Sequence, residues 1–383
     1  MKKYFKSFFP EDEILGIDIG SYSIKFVLFS KNNDKVILKN WGYVPLFLKD
    51  NTDPAEKKAI IADEISKYVK KSGIKTKYAA TSVSGNSVII RYIKLPKIDD
   101  KELKDKIYAE AEAFIPFDIN EVYLSYYVTN PSIFEEGQNK IELVLVAAKK
   151  EIVDEKIEII NSSGLIPVLI DVDSFALETL INKIEGDPKD DFKSIMAINM
   201  GNKVTNLSIL INNLNVAREI PQIKPAYYSK LVRDIFVAGN SFDRAISKKM
   251  NIDADKVDEF KKTAKVLLTD DDKLDAIKNY DKFTILSSKV ITGVMKELVN
   301  DISRSIDFFI SSGVEANISK IYLCGGVSSI KNINMYLYDE LKIPVEYLNP
   351  FSIVENKPSN IPPHILNSLS VAAGLSLRRI EDL

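Results

Sequence analysis

Short apolar runs alternate with longer segments of helical periodicity along the chain, which is the pattern of an α/β protein. Three strands are predicted in series within residues 14–44. An amphipathic helix is predicted at 54–72, where Asp53 can cap its start and Gly73 can end it. Two further strand signals, YAATSVSG and SVIIRYIKLP, follow it. The chain is therefore expected to begin with several strands and one covering helix.

A segment of different character, roughly residues 90–165, has the pattern β-α-β-β-α. Its first helix is predicted over 99–115, with Leu103, Ile107 and Phe114 facing the sheet. Its strand EVYLSYYVTN can present tyrosines on both faces, and tyrosine suits interfaces because its ring is apolar and its tip polar. The segment resembles a small unit inserted into the first half, whose tyrosines either complete a small core or line a partner groove.

The strand pattern restarts after a polar break, which divides the chain into two halves. The second half is mostly helical between residues 240 and 316, and its last helix is ILNSLSVAAGLSLRR. A chain of 383 residues is also too long for one ordinary core. We predict a tail at 1–13, a first half at 14–184 with an inserted subdomain at about 92–166, and a second half at 185–383 with a mostly helical subdomain at about 222–290.

Two stretches of the chain repeat each other without a gap. GIDIGSYSIKFVLF begins at residue 16 and AINMGNKVTNLSIL begins at residue 197, and each is a strand, a glycine turn and a second strand. Gly20 aligns with Gly201, and Asp18 aligns with Asn199. The second copy therefore carries an amide where the first copy carries an acid.

Composition narrows the chemistry that these turns can support. Apolar residues make up 45% of the chain and charged residues 28%, as in a globular protein. The formal net charge is −2, with Lys and Arg spread along the chain, so no nucleic-acid partner is expected. One Cys and one His leave no zinc cluster and no Ser-His triad. Candidate chemistry has to come from carboxylates, glycines and lysines.

The N-terminal stretch MKKYFKSFFPEDEI is too short and too charged for a signal sequence, and no apolar run reaches the length of a membrane span. Aromatic residues among its lysines can touch an anionic lipid surface, which allows a peripheral membrane association. The alternative is a flexible tail whose aromatic side chains pack on the first strand. The single Cys can form no disulfide within the chain, which fits a reducing compartment.

The repeated turns suit a phosphate clamp. A turn of glycine and small polar residues presents backbone N–H groups in a concave nest, and glycine permits the close approach that such a turn needs. A third glycine turn, Gly325-Gly326, follows a buried strand, at a place where a ring or a phosphate can approach the backbone. Each turn alone is more often only a turn. All three in this order predict a polyphosphate-binding cleft between the halves.

Two charged residues of the first hairpin add to this clamp. Asp18 ends its strand at the turn, where it can hold a hydrated Mg²⁺ through water. Lys25 lies on the return strand and can reach a β-phosphate as a point charge. A solvent-facing strand lysine is the alternative interpretation of Lys25.

Three motifs carry a family resemblance. GIDIGSYSIK, INMGN and LCGGVSSI resemble the phosphate-1, phosphate-2 and adenosine motifs of the actin and heat-shock-chaperone ATPase superfamily. RYIKLP, AEAFIPFDINEV, LVAAKKEIVDE, SSGLIPVLIDVDSFALE and SVAAGLSLRR resemble, in order, the type IV pilus assembly family PilM, which is akin to the cell-division protein FtsA. The resemblance covers nearly the whole chain. It implies an α/β, actin-like ATPase fold of two similar halves, with an FtsA-like β-α-β-β-α insertion in the first half.

The resemblance also implies which residues bind ATP and Mg²⁺. The nucleotide-binding residues would be Gly20, Ser21, Tyr22 and Lys25 in the first phosphate loop, Gly201, Asn202 and Lys203 in the second, and Gly239, Asn240, Lys261, Gly325, Gly326 and Val327 around the nucleoside. Asp171 is expected to orient the attacking water, with Asp173 as its rival. Asp18 through water, and Asn199 weakly, would hold the metal. Because the superfamily usually has Asp at the position of Asn199, hydrolysis is expected to be slow or absent while binding survives.

By the same resemblance, the chain is expected to be a cytoplasmic ATP-binding scaffold at the inner face of the inner membrane. Its expected partners are the N-terminal cytoplasmic peptide of PilN and other inner-membrane pilus components. The PilN tail is expected in a groove between the inserted unit and the rest of the first half, held by backbone pairing and side-chain pockets. Two alternatives are an FtsA-like filament-forming membrane-associated protein and a small-molecule kinase of the same fold.

Overall fold

A computed structural model provides the three-dimensional structure of the chain. It describes residues 13–32, 35–48, 51–98, 100–220, 222–253, 256–257, 260–261, 264–279, 281–314 and 317–378. The predicted N-terminal tail lies outside the described residues, except for Glu13, and so does the end of the chain after Arg378.

The elements follow the predicted order. The strands are β1 (Leu15–Ile19), β2 (Ser23–Asn32), β3 (Lys35–Pro45), β4 (Tyr78–Val83), β5 (Val88–Pro96), β6 (Val122–Glu135), β7 (Gln138–Lys149), β8 (Ile166–Val172), β9 (Lys193–Met200), β10 (Thr205–Asn212), β11 (Tyr227–Ile235), β12 (Asn317–Cys324) and β13 (Val345–Tyr347). The helices are α1 (Pro54–Lys71), α2 (Asp100–Phe114), α3 (Lys150–Ser162), α4 (Asp173–Glu185), α5 (Leu214–Glu219), α6 (Gly239–Met250), α7 (Asp270–Lys278), α8 (Lys282–Ser311), α9 (Ile333–Leu341), α10 (Pro363–Leu366) and α11 (Ser370–Leu377). Short 3₁₀ turns occupy Ile119–Glu121, Gly326–Ser329 and Asn367–Leu369.

Two five-stranded sheets share one plan. The first has the order β3-β2-β1-β4-β8, and the second has the order β11-β10-β9-β12-β13. In both, three antiparallel strands are followed by two parallel ones. The sequence repeat of the two hairpins therefore extends to the whole sheets. The predicted α/β class with two similar halves is confirmed, whereas the exact subdomain boundaries stay a prediction.

A third sheet lies between β4 and β8 along the chain. It has the order β5-β7-β6, and α2 packs on it. Leu103, Ile107, Ala111 and Ile115 form the buried stripe of this part of the chain at a spacing of four residues. The prediction that Phe114 faces the sheet is wrong. Phe114 directly precedes Ile115 of the stripe, and successive residues of a helix point about 100° apart. Its side chain is 41% exposed.

One buried hydrophobic cluster contains residues of both halves. The last helix, α11, packs against β1 and α4, although it ends the second half in sequence. The backbones approach closely there: a Cβ added to Gly374 would lie 1.8 Å from the carbonyl oxygen of Ala176, and one added to Gly16 would lie 2.0 Å from that of Ala372. Within the described ranges, no helix combines the length and the apolar character needed to cross a membrane.

Candidate functional site

A cavity of about 470 Å³ is lined by the turns that end β1, β9 and β12. Its volume lies within the range of small-molecule sites. Most of the residues predicted to bind a nucleotide or metal line it, namely Asp18, Gly20, Ser21, Tyr22, Lys25, Asn199, Gly201, Asn202, Lys203, Lys261, Gly325, Gly326 and Val327. The three glycine turns, which are far apart in the sequence, therefore meet at one place.

The first turn is organised by an ion pair. Antiparallel pairing of β1 with β2 sets Asp18 opposite Lys25, and the Lys25 Nζ lies 3.1 Å from the Asp18 Oδ2. The Gly20 N–H donates to the Ser23 carbonyl oxygen at 3.1 Å and closes the turn. A Cβ on Gly20 would lie 2.7 Å from the Lys25 Nζ, so glycine leaves the room that the lysine head occupies.

The second turn has the same backbone with neutral side chains. The Gly201 N–H donates to the Val204 carbonyl oxygen at 3.0 Å. Asn199 pairs with Asn206 across β9 and β10, and the Asn199 Nδ2 donates to the Asn206 Oδ1 at 3.3 Å. Equivalent positions of the two repeats are 181 residues apart, as Ser21 and Asn202 are. Asn206 is therefore the counterpart of Lys25. The second half has therefore replaced both members of the ion pair by amides.

The two turns also touch each other. The Asn202 Nδ2 donates to the Ser21 Oγ at 3.2 Å, which joins equivalent positions of the two halves. A second link runs through Asp234, whose carboxylate accepts from the Asn206 Nδ2 at 2.6 Å and from the Gly85 N–H at 2.8 Å. Contacts between the halves therefore lie beside the cavity.

The third turn contains two glycines with different surroundings. Gly325 has φ +89°, and a Cβ there would lie 2.4 Å from the Met200 carbonyl oxygen, so this position requires glycine. Gly326 has open space where a Cβ would stand, and it lines the cavity. The first glycine makes the turn possible, and the second keeps part of the cavity empty.

Two predicted residues support the site from behind. Gly239 and Asn240 are not among the cavity-lining residues. Their N–H groups donate to the carbonyl oxygens of Gly201 at 3.0 Å and Asn202 at 2.8 Å. The start of α6 therefore fixes the second turn, and direct contact of these two residues with a ribose stays a prediction.

Asp171 is not among the residues that line the cavity. Its carboxylate is paired with Arg378 at 2.8 Å and accepts from the Val172 N–H at 2.8 Å. Burial raises the pKa of Asp171, which the positive charge of Arg378 opposes. Because both oxygens of the Asp171 carboxylate are engaged, by Arg378 and by the Val172 N–H, this side chain is not available to orient water in the cavity. This arrangement does not support the expected role of Asp171.

Its rival, Asp173, lines the cavity as the first residue of α4. The Ser82 Oγ donates to the Asp173 Oδ1 at 2.6 Å. Burial, followed by the negative charge of Asp18, raises the pKa of Asp173 to about 6. A carboxyl group with such a pKa can accept a proton from water near neutral pH.

Sequence reasoning missed Lys156, a cavity-lining residue of α3. Its Nζ donates to the Ile19 carbonyl oxygen at 2.9 Å. Burial lowers the pKa of Lys156, and the carboxylates of Asp18 and Asp173 oppose this effect. Helical spacing puts Lys156 on one face with Ile152, but only the folded arrangement shows that this face borders a cavity.

The cavity has an excess of positive charge. Among the described lining residues, the Lys, Asp and Glu side chains are five lysines, Lys25, Lys57, Lys156, Lys203 and Lys261, and three carboxyl groups, Asp18, Glu155 and Asp173. Lys261 is also paired with Asp243 at 2.6 Å. This balance, together with the N–H groups of the turns, favours an anionic ligand such as a polyphosphate.

The residues fit a metal ion only loosely. The described part of the chain has no group of three or more His, Cys, Asp or Glu side chains that could hold a metal. Asp18 is already paired with Lys25, and the amide of Asn199 is hydrogen-bonded to Asn206. These donors suit contact with a hydrated Mg²⁺ through water, rather than direct coordination.

Comparison with known proteins shows which family the chain belongs to. The sequence pattern of the type IV pilus assembly protein PilM matches residues 16–380. A solved structure described as a PilM-PilN type IV pilus biogenesis complex is 27% identical, with a TM-score of 0.76, and the match covers 95% of this chain and 98% of that chain. The ethanolamine utilization protein EutJ from Carboxydothermus hydrogenoformans is 11% identical, with a TM-score of 0.51, over 95% of this chain and 90% of that chain, a likeness of fold alone. The predicted actin-like ATPase fold is thus confirmed, and the chain belongs to the PilM family of type IV pilus assembly proteins.

Proposed function

We propose that this chain is an ATP-binding scaffold of type IV pilus assembly with slow or absent ATP hydrolysis. One observation carries the proposal: the two equivalent hairpin turns and the Gly325-Gly326 turn line a single cavity that contains five lysines. The turns supply N–H groups for phosphate oxygens, and the lysines supply positive charge. The open space at Gly326 leaves room for a flat nucleoside.

Slow hydrolysis follows from the side chains of the second turn. Stabilising a transition state requires preorganised charge at the place where charge develops. Asp173 provides one candidate group for orienting water, and we propose it in place of Asp171. The facing position in the second half is the neutral Asn199, whose amide is hydrogen-bonded to Asn206. ATP binding rests on many backbone contacts, so it should be retained while hydrolysis is slow or absent.

The partner we propose is the N-terminal cytoplasmic tail of a PilN-like inner-membrane protein, which would hold the chain at the inner face of that membrane. The proposal is supported by the family and by the similar PilM-PilN complex. A suitable surface lies where β6 meets α3: the Tyr123 hydroxyl donates to the Asp154 carboxylate at 2.9 Å, and Tyr127 is 70% exposed. Such a tail is ordered on binding, so micromolar affinity is expected.

The proposal is tested by titrating ATP into nucleotide-stripped protein with Mg²⁺ present, followed by calorimetry. Lys25→Ala should weaken binding because a phosphate loses its counter-charge, and Gly326→Val should weaken it because the side chain fills cavity space. The backbone leaves room for the new side chain to start, since a Cβ at Gly326 meets no atom within 4 Å, and thermal unfolding checks that the variant is folded. Each variant should lose about tenfold in affinity, the equivalent of ~1.4 kcal/mol.

Gly293→Val provides the matched control. Gly293 also has open space around a Cβ, but it lies on α8 and is not a cavity-lining residue. Its ATP affinity should equal that of the wild type. If the stripped wild-type protein binds no adenine nucleotide, the proposed function is wrong.

A further inference from the structure

Lys156 lines the cavity but lies outside the three nucleotide motifs. It comes from α3, which directly follows β7 of the three-stranded sheet. Its Nζ donates to the carbonyl oxygen of Ile19 at 2.9 Å, one residue before Gly20 of the first turn. The ammonium group is therefore attached to the first phosphate loop, although the sequence places it far from that loop.

The ammonium group of Lys156 has unused capacity for an anion. Two other cavity lysines are held in ion pairs, Lys25 with Asp18 and Lys261 with Asp243. Within the described part of the chain, Lys156 makes one hydrogen bond, whereas an ammonium carries three donors. The carboxylates of Asp18 and Asp173 attract this ammonium, but among the described residues it has no direct ion pair. A cation partly removed from water in this way is unfavourable, and an anion bound directly to it relieves this cost. The cavity is thus arranged to receive negative charge at Lys156.

The metal side of the cavity is correspondingly weak. Asp18 is engaged by Lys25, and Asn199 is neutral. No cluster of metal-binding side chains occurs among the described residues. A triphosphate still brings several negative charges, which some cation has to balance.

We propose that Lys156 is a triphosphate-binding residue whose ammonium group supplies charge that a protein-bound Mg²⁺ would otherwise supply. ATP binding should then persist when Mg²⁺ is removed. The inference rests on the proposed ATP binding, and it concerns which cation neutralises the phosphates. It also assigns a role in the nucleotide site to the helix that leaves the three-stranded sheet.

The test is a calorimetric titration of ATP into the full, nucleotide-stripped chain, once in excess Mg²⁺ and once in excess EDTA. The Kd of the wild type should rise less than about tenfold in EDTA. Lys156→Met should raise the Kd in EDTA by about tenfold or more, the size expected for one charge-assisted hydrogen bond. Lys156→Arg, which keeps the charge, should recover most of this loss.

Lys58→Met is the matched control, because it removes a lysine that contacts the same helix, α3, without lining the cavity. Lys58 lies on α1 and forms an ion pair with Glu158 of α3, outside the cavity. It should leave the Kd for ATP unchanged in both conditions, and thermal unfolding checks that each variant is folded.

Two results would overturn the inference while leaving the proposed function intact. The first is a wild-type Kd that rises more than about a hundredfold in EDTA, a comparison that needs no variant. The second is an equal Kd for Lys156→Met and the wild type in EDTA. The absence of ATP binding even with Mg²⁺ would overturn the proposed function, and this inference with it.

Discussion

At the scale of single residues, the two halves differ most where their turns are otherwise alike. The first turn holds Asp18 opposite Lys25, and the second holds Asn199 opposite Asn206. Replacing only one member of an ion pair would leave the other charge without a partner in a partly buried place. Replacing both removes that penalty, so the neutral pair is a stable arrangement in its own right. The difference between Asp18 and Asn199 can be seen in the sequence. That Lys25 is replaced together with it, by Asn206, becomes clear only from the strand register, which sets the two residues of each pair opposite each other.

Turnover should respond to the charge at residue 199. Asn199→Asp should increase the rate of phosphate release from ATP, because a carboxylate can hold a hydrated Mg²⁺ near the phosphates. It should also lower stability by about 1 kcal/mol, since the new carboxylate would face the Asn206 Oδ1, which now accepts from Asn199. A wild-type turnover near ~10 per second, the enzyme median, would contradict the slow-hydrolysis proposal.

Asp173 should make the protein's stability depend on pH. Its pKa in the folded protein is raised from 3.8 to about 6, mainly by burial and then by Asp18. A carboxyl group whose folded-state pKa is raised stabilises the fold below its unfolded pKa, and this contribution is lost as the pH rises through about 6. Asp173→Asn should therefore raise the free energy of unfolding at pH ~7.5 by about 1–3 kcal/mol, and by much less at pH ~4.

The measurement for Asp173 is chemical denaturation of wild type and variant across this pH range. Ser82→Ala is a useful companion, because it removes the hydroxyl that donates to the Asp173 Oδ1 and leaves the carboxyl group in place. It should keep the contribution of Asp173 to the pH dependence, which Asp173→Asn removes. A constant difference between Asp173→Asn and wild type at all pH values would show that Asp173 does not titrate in this way.

The sequence placed the glycine turns at the cavity, but it did not decide which of Asp171 and Asp173 lines it. Turn glycines are recognisable because few other residues fit their backbone, as the approach of Gly325 to Met200 illustrates. Asp171 and Asp173 both lie near the junction of a strand with a helix, where a shift of two residues exchanges a cavity position for a buried ion pair. Lys156 has no motif at all, so only the folded chain identifies it.

At the scale of elements, α11 decides how the two halves fit together. Its small residues allow β1 and α4 to approach its backbone, most closely at Gly374. The sequence predicted a helix here, within the longer run ILNSLSVAAGLSLRR, and it predicted α1 from its regular apolar periodicity. It did not predict that α11 packs on the first half, since packing partners far apart in the chain leave no periodic signal.

Gly374→Ala should be strongly destabilising. The added methyl group would lie 1.8 Å from the carbonyl oxygen of Ala176, so that α11 and α4 would have to move apart. We expect a loss of about 2–3 kcal/mol in the free energy of unfolding, as for an overpacked core. Gly293→Ala on α8 is the control: its Cβ meets nothing within 4 Å, and it should gain about 0.5–1 kcal/mol from helix propensity. Equal stability of the two variants would rule out tight packing at Gly374.

At the scale of the whole molecule, α3 connects the two sites that the proposed function requires. It presents Lys156 to the cavity and Asp154 to Tyr123 of β6. The three-stranded sheet is also tied to the second half, since Glu142 of β7 forms a buried ion pair with Lys230 of β11. A ligand that fixes α3 would therefore act on the cavity and on the proposed partner surface together.

ATP and the PilN-like tail should consequently strengthen each other's binding. A triphosphate that neutralises Lys156 would hold α3 in place and reduce the ordering needed at the surface formed with β6. Allosteric couplings of this kind amount to about 5–150-fold and are reciprocal, so each ligand should lower the Kd of the other by the same factor.

The measurement is a pair of calorimetric titrations: a synthetic tail peptide with and without saturating ATP, and ATP with and without saturating peptide. Tyr127→Ser should weaken peptide binding and leave ATP binding unchanged. Phe192→Ser should affect neither, since Phe192 is an exposed aromatic residue of the second half, 59% exposed against 70% for Tyr127. Peptide affinity that is unchanged by ATP would show that α3 holds the two sites side by side without linking them.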